Sequence, residues 1–388
     1  MKEQRPVYMD NNSTTRVDPR VLEVMLPFFS DEFGNAASIN HVYGMAATVA
    51  VEQARSEVAA LLNVDPRSIV FTSGATESNN LALKGVMRAT GTGAHLIVAA
   101  SEHKAILDPA RALERDGIEV TVVPVDSFGM VDPLTVANAI RPDTGLVSIM
   151  WANNEVGTIN PVDEISEICR RRSIPLHSDA AQAVGKTEID LARSPVDMVS
   201  LSGHKIYGPK GVGVLYVRRG TPRIRLEPLF HGGGHERGYR SGTLSVPLVV
   251  GLGAACRLAM EAMATESVVV RDLRDRLWAG IKSRVDGVRL NGHPERRLPG
   301  SLHVSFEGVN AEALLMQLKD VLAASTGSAC TTAEPEPSHV LLAMGVDEDL
   351  IESSVRFGLG RFNDTEEIDR AVEAIVEKVS QLRRIVTR

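Results

Sequence analysis

Aromatic residues are scarce, at 4% of 388 positions, and their scarcity removes the stacking platform that single-stranded nucleic acids need. Three cysteines, Cys169, Cys256 and Cys330, are too few and too scattered for a disulfide framework, so a reducing cytoplasm is the expected compartment. Positive charge is not in excess. The formal net charge is -7, which argues against sequence-independent binding of nucleic acid, although a local basic patch remains open. No apolar stretch reads as long enough for a membrane span, and Met1-Lys2-Glu3-Gln4-Arg5 lacks the apolar core of a secretion signal. Direct nucleic-acid and membrane partners are therefore not expected. What is present, 44% hydrophobic and 23% charged residues, describes a soluble globular chain long enough for a large core and one or two domains.

The apolar pattern alternates strand with helix. Strands are expected at Val7 to Asp10, Ile69 to Thr72, His95 to Ala100, Glu119 to Val123, Leu146 to Trp151, Leu176 to Asp179, Met198 to Leu201 and Val214 to Val217. Asp18 as N-cap and Pro19 at the first helical position start a helix to Phe29. Ala47, Val51, Ala54, Val58 and Leu61 form one stripe of a helix from Tyr43 to Leu62. Further helices are expected at Glu77 to Met87, Lys104 to Arg115, Val136 to Ile140 and Val162 to Arg171. This order predicts an α/β fold, a mostly parallel sheet with helices on both faces, which collects ligands at the carboxyl ends of its strands. A long helix from Val246 to about Arg284 leads into strands Leu302 to Phe306 and Val355 to Leu359, with helices at Ala311 to Asp320, Pro337 to Met344 and Thr365 to Arg384. The change to a smaller α+β pattern places a boundary near residue 260. Residues 16–260 then form a large domain, and 1–15 with 261–388 a small one that carries a loop at about 323–336.

The chemistry-bearing residues sit at strand ends. Ser202-Gly203-His204-Lys205-Ile206-Tyr207-Gly208 is a glycine-bearing turn after a buried strand. A lysine kept from bulk water there has a lowered pKa, and its neutral amine can form a Schiff base with an aldehyde cofactor. Ser202 and His204 can donate to a phosphate on that cofactor; a solvated turn with Lys205 and Lys210 exposed is the alternative. Ser73-Gly74-Ala75-Thr76 joins a strand to a helix whose free amides suit a phosphate, or it is an ordinary cap. His103 can stack on a flat ring and relay protons, or simply be solvated. Asp179 can pair with a pyridinium nitrogen and Gln182 can bond the ring oxygen, or Asp179 can cap a helix. Asn154, in Asn153-Asn154-Glu155, can reach the ring or a substrate carboxylate, or serve a turn. Arg356, among apolar neighbours, needs an anion, either a substrate carboxylate or a structural acid. The glycine-rich run His231 to Thr243 can approach anions. Cys330 lies in a small, polar, proline-ended stretch, Ala324 to Pro337, where an exposed thiol suits attack and delivery.

Taken jointly, these motifs resemble the NifS/IscS family of cysteine desulfurases, within the fold-type I enzymes that use pyridoxal 5'-phosphate. The segments that carry the likeness are Thr76-Glu77-Ser78, Glu102-His103, Asn153-Asn154-Glu155, Asp179-Ala180-Ala181-Gln182, Ser202-Gly203-His204-Lys205, the run to Thr243, Ser328-Ala329-Cys330 and Ser354-Val355-Arg356-Phe357. The resemblance implies a seven-stranded, mostly parallel large-domain sheet, with Lys205 as the Schiff-base lysine and His103 on the ring. It implies Asp179 on the pyridine nitrogen and Gln182 on the ring oxygen. Phosphate would be held by Ala75, Thr76, Ser202 and His204, and by Thr243 from a second subunit of a homodimer. Asn154 and Arg356 would hold the carboxylate of L-cysteine, and Cys330 would carry a persulfide to a sulfur-acceptor protein for iron–sulfur cluster assembly or nucleic-acid thiolation. No resident metal is implied, Cys330 serving at most as an iron–sulfur ligand within a complex. Asn11-Asn12-Ser13 and Ala36-Ala37 depart from the usual alanine and proline-serine of the family. The rivals are a class V aminotransferase, a selenocysteine lyase, and a non-catalytic docking protein.

Overall fold

A computed structural model describes residues 5–220, 223–327 and 337–386. Its twelve strands are β1 (Val7–Tyr8), β2 (Ile69–Thr72), β3 (His95–Ala99), β4 (Glu119–Val123), β5 (Thr144–Ser148), β6 (Leu176–Asp179), β7 (Met198–Ser202), β8 (Gly213–Val217), β9 (Val288–Asn291), β10 (Ser301–Phe306), β11 (Leu322–Ala323) and β12 (Ser354–Gly358). Seven of these make the main sheet, in the order β2-β8-β7-β6-β5-β3-β4. Only β8 runs against its neighbours, pairing antiparallel with β2 and β7. The other six strands therefore point their carboxyl ends to one edge. Every residue of β2, β3, β6, β7 and β8 is buried, as expected for a sheet covered on both faces. The two faces separate by the strand period of two. Ile69, Phe71, Ile97, Val147, Val199, Leu201 and Val214 join one core, and Val70, Leu96, Val98, Leu146, Met198 and Leu215 join the other.

A three-stranded antiparallel sheet, β12-β10-β9, and a parallel pair, β1-β11, lie over a further core that includes Val7, Met9, Phe306, Val355, Phe357 and Ile375. The first strand of the chain thus packs with its last third. The helix Val246–Lys282 serves both bodies of apolar packing. Val249, Leu252 and Leu258 enter the large sheet's core, and Leu273, Leu277 and Ile281 enter the other. This helix also corrects the expectation that no stretch reaches membrane length, because it is long and apolar enough to cross by length and composition. Its buried apolar residues serve the two cores, while Met260, Val268 and Val269 stay exposed.

Other differences have local causes. The helix expected from Pro19 to Phe29 is two, Pro19–Met25 and Pro27–Ser30, because Pro27 has no N–H to continue the ladder. The helix expected from Glu77 begins at Ala75 and runs to Thr90. The strand expected from Leu146 to Trp151 is β5, which ends at Ser148. Beyond it Ile149 and Trp151 still donate to the carbonyls of His177 and Asp179. The helix expected from Val136 starts at Pro133, capped by Asp132, and the one expected from Pro337 is His339–Ala343, capped by Ser338.

Candidate active site

Lys205 ends a short 3-10 turn, Gly203–Lys205, directly after β7. Its Nζ donates to the peptide carbonyls of Asn12 (2.6 Å) and Ser13 (2.7 Å). Burial and the nearby Arg356 guanidinium lower its pKa to about 8, against the opposing pull of Asp179 and Asp10. No carboxylate bonds this amine among the described residues, and it rests on neutral carbonyls instead. The turn is zipped to the N-terminal segment. Thr15 donates its amide to the His204 carbonyl (2.9 Å) and accepts from the Tyr207 amide (2.8 Å). The His204 imidazole, half-buried, meets Thr14 Oγ1 at 3.0 Å, and burial followed by the surrounding lysines lowers its pKa to about 4.

One strand over, Asp179 closes β6. It accepts from Asn79 Nδ2 (2.7 Å) and from the amide of Ala181 (2.9 Å). Gln182 is 4% exposed and donates through Nε2 to the Asn12 carbonyl (2.7 Å). His103 caps the helix Lys104–Arg115, its Nδ1 accepting from the Ala105 amide at 3.0 Å. That bond leaves Nε2 as the N–H of the neutral ring. The surrounding protein and the Lys205 charge lower its pKa, and the neutral ring is what stacking requires. Behind it Glu102 is wholly buried. Burial and Asp179 push its carboxyl well above the usual range.

A cradle lies at the start of the helix Ala75–Thr90. Its N-cap is Gly74, which has no side chain to cap with, so no side chain caps the amides of its first turn. Thr72, Gly213 and Ser202 stand side by side on β2, β8 and β7. A Cβ on Gly213 would come within 2.6 Å of the Gly74 backbone, and one on Gly74 would face Ser202 Oγ at 3.8 Å. Uncapped helix amides, a hydroxyl and glycines at close approach suit a phosphate. Together with a near-neutral amine on the next strand end and a carboxylate beside it, these residues fit pyridoxal phosphate.

On the other wall Arg356, from β12, is 5% exposed. Its Nη2 pairs with Asp10 (2.9 Å), and its Nη1 donates to the carbonyls of Asn154 (3.0 Å) and Gly327 (3.4 Å). The structural acid that the sequence left open therefore exists, as Asp10. The guanidinium still keeps a buried Nε without a partner, and Asn154 keeps a buried Oδ1 without one, among the described residues. A buried donor left over on Arg356 suits the carboxylate of an amino-acid substrate. Gly327 and Ser338 flank residues 328–336, and both lie here. Ser338 donates to the Glu155 carboxylate, and a Cβ on Gly327 would stand 3.5 Å from the same carboxylate.

The structure thus brings Lys205, Asp179, Gln182, His103, Ser202, His204, Ala75, Thr76, Asn154 and Arg356 to one edge. Thr243 is different. It is exposed, and among the described residues no hydrogen bond joins it to the cradle. Ser328, Ala329 and Cys330 lie outside the described residues. Of the other thiols, Cys169 is buried and pushed up to about 12 and Cys256 is buried and raised further, so neither offers a thiolate near neutrality. No individual role could be read from sequence for Asn79, Asp10, Glu155, Lys186 or the peptide carbonyl of Asn12. Asn79 follows Thr76 by three residues on one helix face, a spacing that pointed to the same cleft.

Comparison with known proteins agrees with this geometry. The family model described as aminotransferase class-V matches residues 7–371. The "Cysteine desulfurase IscS" of Anaeromyxobacter dehalogenans is 53% identical over 381 residues, 98% of this chain and 94% of that protein. The "Cysteine desulfurase, mitochondrial" of Arabidopsis thaliana is 52% identical over 382 residues, 98% of this chain and 84% of that protein. A solved "NifS-like protein" superposes with a TM-score of 0.90 at 39% identity, over 97% of this chain and all of that one.

Proposed function

We propose a residue-level account of sulfur removal for this chain, which belongs to the aminotransferase class-V family and is a pyridoxal-phosphate-dependent cysteine desulfurase acting on L-cysteine. Bound pyridoxal phosphate supplies an aldehyde that captures the amino group and a ring that accepts electrons from the α-carbon. Lys205 Nζ, neutral above about pH 8, takes the α-proton. Asp179 keeps a proton on the ring nitrogen, and Asn79 holds Asp179 in place. His103 covers the ring and moves a proton at Nε2. Ala75, Thr76, Ser202 and His204 hold the phosphate, with Thr243 reaching it from a second subunit. Arg356 and Asn154 orient the substrate carboxylate.

Cys330 is the sulfur acceptor. Its thiolate attacks the substrate sulfur and the carbon–sulfur bond breaks with its electrons left on carbon; protonation of that carbon, and return of the α-proton from Lys205, gives alanine. Cys330 then carries a persulfide. One observation supports this above others: Gly327, three residues before Cys330, is bonded to Arg356 at the cleft wall. Three residues span at most about 11 Å, which supports Cys330 as the group that meets the substrate sulfur.

The homodimer is supported by large exposed apolar residues gathered in one part of the chain, among them Phe29, Phe33, Ile39, Val42, Tyr43 and Val49, a concentration typical of interfaces. The division into residues 16–260 and the remainder is supported by the two cores that the helix Val246–Lys282 joins. A cytoplasmic enzyme that passes sulfur to a scaffold or carrier protein, for iron–sulfur cluster assembly or nucleic-acid thiolation, completes the proposal. The test is Cys330→Ala. It should retain the yellow bound cofactor and lose persulfide and alanine formation from cysteine. Full sulfide release by this variant would refute the role of Cys330, and keto-acid formation by the unaltered protein would favour an aminotransferase.

A further inference from the structure

We propose that Lys186 is a positioning residue of the cofactor site: it grips the Oε1 edge of Gln182 and thereby holds the Nε2 edge toward the cleft. The inference rests on the reading that Gln182 meets the ring oxygen of the cofactor.

The geometry is a chain of three bonds. Lys186 Nζ donates to Gln182 Oε1 at 3.0 Å, and Gln182 Nε2 donates to the Asn12 carbonyl at 2.7 Å. That carbonyl also accepts from Lys205 Nζ at 2.6 Å. A primary amide is nearly symmetric in shape, and its two edges differ only as donor and acceptor. An amine that can present N–H to one edge therefore decides what the other edge offers. With Oε1 held by Lys186, Gln182 offers the cleft N–H groups, which a ring oxygen carrying negative charge needs. The opposite orientation would set an acceptor against that oxygen.

Nothing in the fold alone accounts for Lys186. The bond to Gln182 is the one its amine makes among the described residues. Burial, with Lys205 and Arg356 nearby, brings its pKa to about 7. An amine placed among like charges without an acid is costly, and an apolar residue of similar length would sit there at less cost. The backbone beneath it is fixed. Ser267, on the helix that joins the two cores, donates to the Lys186 carbonyl at 3.0 Å. Gly185 before it has φ +73° and packs so closely that a Cβ would meet Ile206 at 2.9 Å. The amine is therefore delivered from a rigid base.

The test is a double-mutant cycle on the full chain, with Lys186→Met, Gln182→Leu and both together. The readouts are the equilibrium affinity of apo-protein for pyridoxal phosphate and the absorbance maximum of the bound cofactor. Gln182→Leu should weaken affinity several-fold and shift the maximum. Lys186→Met should do the same to a comparable degree, and the double variant should be no worse than Gln182→Leu. Lys186→Arg, which keeps a donor for Oε1, should restore the spectrum, and it preserves the test if the methionine variant does not fold. Wild-type affinity and spectrum in Lys186→Met, with Gln182→Leu impaired, would overturn the role of Lys186 and leave that of Gln182 standing. Losses that multiply in the double variant would likewise overturn it. No effect of Gln182→Leu would overturn the role of Gln182, and that of Lys186 with it.

Discussion

The amine of Lys205 should capture its cofactor with a pH dependence set by the fold. Burial and Arg356 bring its pKa from the ordinary 10.5 to about 8. A group with pKa 10.5 is neutral at pH 7 in about one molecule in 3,000, and one with pKa 8 in about one in ten, a gain of ~300-fold in reactive amine. The sign is that of a lowered lysine: the reactive neutral form grows as pH rises and is complete above the folded pKa. Apo-protein mixed with pyridoxal phosphate under pseudo-first-order conditions should therefore bind it about ten times faster per pH unit up to about pH 8, and then level off. Arg356→Gln removes the second cause of the shift and should move the break toward higher pH. Lys186, also with a lowered pKa, is the competing amine. Borohydride reduction followed by peptide mapping should place the label on Lys205 alone. A rate that climbs without a break to pH 10, or a label on Lys186, would refute the account of how the turn after β7 tunes its lysine.

Two further substitutions test the walls of the cleft. Arg356→Ala leaves Asp10 without its partner in a pair where the arginine side chain is 6% and the aspartate 21% exposed. It should cost about 3–5 kcal/mol in urea unfolding and raise KM for cysteine, and an unchanged KM would remove Arg356 from substrate binding. Gly213→Ala inserts a Cβ 2.6 Å from the Gly74 backbone. It should push the start of the helix Ala75–Thr90 away from Ser202 and weaken affinity for pyridoxal phosphate while leaving the far-ultraviolet circular dichroism unchanged.

Much of the site was legible because its residues stand at strand ends, and strands show in sequence as apolar runs. Asp179 closing Leu176–Asp179 and Lys205 three residues past β7 could be placed by counting. The helix Lys104–Arg115 was legible for a similar reason, since His103 caps it and its apolar spacing is regular. Contacts made by backbone were not legible. The Asn12 carbonyl serves Lys205 and Gln182 at once, yet any residue type supplies a carbonyl. Partners far apart along the chain were also hidden. Asp10 meets Arg356 across 346 positions, and a lone aspartate after a short strand carries no mark of its partner. Boundaries slipped where prolines acted twice, as at Pro27, which opens a second helix and closes the first.

The way the first fifteen residues are held has a consequence for how the protein is made. Asn11 and Gly358 exchange backbone bonds with their neighbours on the two segments, Asn11 N to Gly358 O and Gly358 N to Met9 O, and Val7 takes its partner from Val321. A ribosome delivers the beginning of this chain hundreds of residues before the strands that seat it, and such distant pairings form late. The segment whose Asn12 carbonyl receives the reactive amine is thus anchored on one side by the turn after β7 and on the other by strands made hundreds of residues later. A nascent chain stalled short of β12 can have its large sheet while the floor beneath that amine still lacks one of its anchors.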